Sequence, residues 1–127
     1  MFFRTNWILP GLFMAGALSL VPSAHAKCTV TLKFTNNDTH DINILGNDSQ
    51  ARINGLTWST MGFNDVGLKP GATGNASWTT NQSCGGHAKR DLRFKFQDTG
   101  DSNIYEKDVN NVDIDKGLTY SYNVKND

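Results

Sequence analysis

The sequence predicts an all-β fold, a small antiparallel β-sandwich of about seven strands braced by one disulfide. Three observations carry that expectation. After residue 26, apolar and polar residues alternate with period two through most of the chain, and no stretch long enough for a helix shows an apolar stripe at helical spacing. Clusters of Asn, Asp, Gly and Ser punctuate the alternating runs at short intervals, as turns do. Cys28 and Cys84 are the only cysteines among the 127 residues, and an even pair in an oxidising compartment is most simply bridged. Two packed sheets let every alternating strand bury one face, whereas a single sheet would leave one face wet and two edges open.

The first element, Met1–Ala26, reads as a cleaved export signal. Arg4 supplies the positive start, Trp7 to Leu20 the apolar run, and Ala24-His25-Ala26 the small residues at the cleavage point. The run is shorter than the roughly 20 apolar residues that span a bilayer, and no positive stop-transfer cluster follows it, so no transmembrane segment is expected in the mature chain. Residues 27–127 are then a single β-sandwich domain, periplasmic or secreted. A Cys28–Cys84 bridge would close a long loop and remove roughly 4 kcal/mol of unfolded-chain entropy.

In the first expected strand, 29–35, Val30, Leu32 and Phe34 point one way and Thr31, Lys33 and Thr35 the other. Asn36 to Thr39 is a turn, and 40–45 returns with Ile42 and Ile44 inward. A third strand is expected over 51–60, with Gly55 marking a bulge. The stretch 61–74 is the least regular, apart from a type II turn at Lys69-Pro70-Gly71, where Pro presets φ and Gly accepts a positive one. Residues 75–80 place Ala76 and Trp78 on one side. The clearest strand is 89–97, where Leu92, Phe94 and Phe96 alternate with Asp91, Arg93, Lys95 and Gln97. Asp98 to Ser102 turns the chain into 103–109, and 118–124 closes the domain with Leu118, Tyr120, Tyr122 and Val124 inward.

Charge excludes one broad class of partner. Twelve basic residues balance 12 acidic ones, and loss of Arg4 with the signal leaves one excess negative charge, so nucleic acid gains no general attraction. Catalysis is poorly provided for. The mature chain has two histidines (His40, His87), a single glutamate (Glu106) and two cysteines assigned to a bridge, and it lacks a nucleophile elbow, a zinc-protease motif and a phosphate-cradling loop. An enzyme is not expected, and no cofactor is implied. Asp38, His40 and Asp41 share a turn, Asp98 and Asp101 share another, and Asn111, Asp113 and Asp115 alternate like the start of a calcium loop. In that loop, however, Gly117 falls one place late and Tyr122 stands where a closing Glu is needed. These are expected to be solvated polar turns, with no metal.

Contact residues are better represented. Arg93 and Lys95 share one face of their strand about 7 Å apart, a spacing suited to a carboxylate-rich partner or to lipid headgroups. Trp58 and Phe63, in or beside the irregular central segment, are candidate aromatic anchors. Phe34-Thr35-Asn36-Asn37, Leu68-Lys69-Pro70-Gly71 and Trp78 resemble small secreted β-sandwiches such as the aegerolysins over about a third of the domain, in strand and turn residues that many sandwiches share. The leading expectation is an exported non-catalytic binding protein recognising another macromolecule, such as an inhibitor or immunity-type periplasmic protein, through Arg93, Lys95, Trp58 and Phe63. The alternative is a secreted membrane- or glycan-binding sandwich, a cytolysin-like module that meets a lipid or glycan surface.

Overall fold

The computed structural model describes residues 27–80 and 82–126, and the export signal expected over 1–26 lies outside them. Alternation produces strands as expected, but nine of them: β1 (Thr29–Asn36), β2 (Ile42–Ile44), β3 (Gln50–Arg52), β4 (Ser59–Thr60), β5 (Val66–Leu68), β6 (Thr73–Thr79), β7 (Lys89–Asp98), β8 (Ile104–Asp113) and β9 (Thr119–Val124). A single 3-10 turn at Asp115–Gly117 precedes β9, and no α-helix or membrane-crossing helix occurs among the described residues.

Two sheets pack face to face. In the smaller, β1 lies between β9 and β6. In the larger, β7 runs through the middle, with β8 along one edge and β2 and β3 sharing the other; β5 extends β2 and β4 extends β3. Every pairing is antiparallel except that of β9, which runs parallel to β1 from Thr119↔Thr31 to Val124↔Asn36.

The two central strands supply the core. Val30, Leu32 and Phe34 of β1 and Leu92, Phe94 and Phe96 of β7 are all 0% exposed, the inward set that alternation dictates. Phe34 meets Phe94 edge-on at 5.2 Å between ring centroids, and Tyr122 stacks on Phe94 at 5.1 Å. Burying each such ring contributes about 2–3 kcal/mol, which is why these strands occupy the centre.

The cysteines form the expected bridge, Cys28 to Cys84, with Cα atoms 5.9 Å apart, inside the usual range. It ties the entrance of β1 to the loop after β6, where Thr80 also bonds both backbone groups of Cys28. The Lys69-Pro70-Gly71 turn is type II: Gly71 has φ +80° and the Ala72 N–H reaches Lys69 O at 2.9 Å.

Four details differ from the sequence reading. The expected strand 51–60 divides into β3 and β4, because Gly55 (φ +81°) sits in a tight turn closed by Leu56 N–H to Ile53 O at 2.8 Å. The bulge lies instead between β7 and β8, where Asn110 and Asn111 together oppose Asp91 and Asn111 takes a φ of +60°. The irregular 61–74 stretch contains β5, with Val66 and Leu68 buried. Leu118, expected inward, is 53% exposed, because the chain enters β9 from the preceding turn and only Thr119 begins the pairing.

Candidate functional site

The site is built on the outer face of the larger sheet, where register decides which charges meet. Arg93 stands opposite Asp108, and Lys95 opposite Glu106, across the β7–β8 ladder. Arg93 donates Nε and Nη2 to the two oxygens of Asp108 at 2.8 and 3.0 Å, with Glu106 3.2 Å away; Lys95 reaches Glu106 at 3.5 Å. The two-pronged contact holds the Asp108 carboxyl below the ordinary range and raises the guanidinium. The basic pair singled out in sequence is therefore matched within the molecule, and the face as a whole is close to neutral.

Next to it, Arg52 of β3 donates Nε to the buried Asp91 at 3.0 Å, and the other Asp91 oxygen accepts the Asn111 N–H at 3.0 Å. Asp91 thus ties β3 to the bulge of β8. Over Arg52 and Arg93 lies the half-buried Trp58, whose ring centre is 4.4 Å from the first guanidinium carbon and 4.0 Å from the second. The loop that delivers Trp58, residues 53–58, also presents Leu56 at 56% exposure.

The four contact residues separate here. Trp58, Arg93 and Lys95 share one surface. Phe63 does not join them: it is 4% exposed and packs on Phe34 at 5.8 Å, because a glycine at position 46 lets the Phe63 carbonyl come where a Cβ would stand. Trp78 is also in the core, at 4% exposure.

Beneath the 53–58 loop is a cavity of about 50 Å³, lined by Ala51, Trp78 and Arg90 from the strands and by Thr57, Ser59 and Gln82 towards its mouth. Arg90 is only 7% exposed. Its Nη1 donates to Lys89 O at 2.9 Å and its Nη2 to Ser83 O at 3.1 Å, both neutral acceptors. Burial lowers its pKa, and no neighbouring charge offsets that. Sequence reasoning missed Arg52, Asp91 and Leu56, and it counted Arg90 with His87, Lys89, Arg93 and Lys95 as one basic concentration without foreseeing its burial. Alternation alone places Arg90 in phase with Leu92, and that phase was the available signal for its burial.

The acidic turns assemble differently from expectation. Asp38, His40 and Asp98 come together with donor atoms within 4.8 Å of one another, whereas Asp41 faces Lys69 at 3.7 Å and Asp101 accepts from the Tyr105 hydroxyl. These three could converge on a cation, but their carboxylates already hold the turns: Asp38 accepts the Thr39 and Asn126 N–H groups and Asp98 that of Gly100. The Asn126 bond leads in holding the Asp38 carboxyl below its usual range. The same His40 Nδ1 faces Thr39 Oγ1, Asp38 and Asp98, so Thr39 and the two carboxylates meet one ring nitrogen and are not joined through the imidazole as nucleophile and orienting acid. Asp113, one of the calcium-pattern residues, instead accepts from Lys89 at 2.6 Å. No protein-family model matches the chain, and no curated protein matches it.

Proposed function

We propose that the chain is an exported, non-catalytic binding protein that grips a protein partner with the 53–58 loop and the adjoining face of β3, β7 and β8. One observation carries this reading: Trp58 is pinned over two guanidiniums that are themselves fixed by Asp91 and Asp108, beside an exposed Leu56. Trp and Arg are the side chains that most often dominate binding energy, and an aromatic already held in place loses little freedom on association. Arg93 and Lys95 act in this arrangement as the support of the platform, their charges balanced by Asp108 and Glu106. The disulfide suits an oxidising compartment and stiffens the scaffold that carries the loop.

A photo-crosslinking amino acid placed at Leu56, and separately at the exposed Lys33 of the opposite sheet, tests this in cells that export the chain. The expected result is one discrete protein adduct from position 56, none from 33, and its loss in Trp58→Ala. Equal adducts from both positions, or an adduct indifferent to Trp58→Ala, would overturn the reading. Trp58-dependent binding to vesicles or glycans in place of a protein adduct would transfer the site to a lipid or glycan surface.

A further inference from the structure

Arg90 is the one guanidinium of the site without an opposing carboxylate. Arg52 has Asp91 and Arg93 has Asp108, and Lys89, next in sequence, has Asp113. Among the described residues no carboxylate pairs with Arg90, whose two hydrogen bonds go to backbone carbonyls and leave three of the five N–H groups of a guanidinium without a protein acceptor. A buried charge compensated only by neutral dipoles is costly, and chains normally pair it. This one lines a cavity that opens beside the exposed loop.

We propose that the cavity is a subsite for a single peptide carboxylate, with Arg90 as its counter-charge. The inference takes its ligand class, a protein partner, from the function proposed above, and its geometry from the cavity alone. Three features select this chemistry. One uncompensated positive charge matches one negative charge, which fits a carboxylate better than a phosphoryl dianion. About 50 Å³ suffices for a group of a few heavy atoms, the size of a carboxylate. The hydroxyls of Thr57, Ser59 and Thr60 and the Gln82 amide, which line the same space, supply neutral polar contacts around the entering group. Leu56, which lines the same space, would then hold the apolar part of the partner while its carboxylate enters towards Arg90. The carboxylate has two sources in a peptide, an acidic side chain or the chain terminus, and both present the same planar fork to Arg90.

The test is a chemical-shift titration of the disulfide-bonded protein, following the Arg90 Nε–H and the amides of Thr57 and Ser59, with sodium acetate against chloride at equal ionic strength. Two short peptides follow, one with an internal Glu and an amidated end, the other with Gln and a free terminus. Acetate is expected to shift these resonances saturably, and at least one peptide to do so more tightly; whichever it is identifies the source. Arg90→Gln should weaken binding about tenfold or more. Ser59→Phe, a change at an exposed position, closes the mouth without touching the buried charge and should do the same. The proposal fails if acetate and both peptides leave the resonances unmoved, or if a well-dispersed Arg90→Gln or Ser59→Phe protein binds them as the parent does. It also fails if inorganic phosphate or a uronate oligosaccharide binds where the peptides do not. Failure here with a Trp58-dependent adduct from position 56 removes the subsite and leaves the binding function standing; saturable acetate binding without any adduct does the reverse.

Discussion

Asn36 shows how much one polar side chain can hold. It is fully buried at the end of β1, yet its amide donates to His40 O at 2.8 Å and Leu68 O at 2.9 Å, while its oxygen accepts the Asp38 N–H at 2.8 Å. Its backbone groups bond Ala72 O and the Gly71 N–H as well. One residue therefore ties the β1–β2 turn to a stretch distant in sequence, β5 and the type II turn that follows it. Asn36→Ala leaves two carbonyls and an N–H without their partner and should cost about 3 kcal/mol, read as a lower midpoint of urea unfolding with an unchanged slope. From sequence, Asn36 is legible as a turn former; its burial is not, since that depends on Leu68 arriving from 32 positions away.

Among the elements, the ones legible in sequence are those whose alternation is long enough to dominate. β1 and β7 bury the residues that period two assigns to them. β5, only three residues long between Asp65 and Lys69, carries too short a pattern to be told from loop. The segment before it is shaped by contact and not by propensity. Gly46 N–H reaches the Asp65 carboxylate at 2.9 Å, its carbonyl accepts the Gly62 N–H at 3.0 Å, and a Cβ on it would collide with the Phe63 carbonyl. That close approach seats Phe63 in the core and leaves Trp58 as the aromatic at the surface. Gly46→Ala should push the 61–64 segment outward, cost about 3 kcal/mol, and raise binding of a hydrophobic dye as Phe63 loses its place on Phe34. The basic stripe on β7 was legible as a stripe; its neutralisation was not, because which acid faces Arg93 follows from the β7–β8 register and not from composition.

For the molecule as a whole, the balance of sheets and bridge sets the stability. One apolar cluster joins both sheets, and the Cys28–Cys84 link closes a loop of 56 positions across it. Replacing both cysteines by serine should lower stability by roughly 4 kcal/mol on the loop-entropy account, measured as the difference in unfolding free energy between the two proteins. The same change should leave the fold's circular dichroism intact at low temperature, because the strand ladders do not depend on the link. Fold class and bridge could be read from the chain because alternation and an even cysteine pair are local facts. The cavity at Arg90 could not, because it exists only where the β3–β4 loop, Trp78 and the start of β7 come together.

The parallel pairing of β9 with β1 makes the two ends of the described chain neighbours in one sheet. A polypeptide emerging N-terminus first cannot finish that sheet until Thr119–Val124 is free, since β1 must wait for the ninth strand of the fold. Until then Phe94 lacks the tyrosine lid of β9, so the core between the two sheets closes only when the ninth strand takes its place.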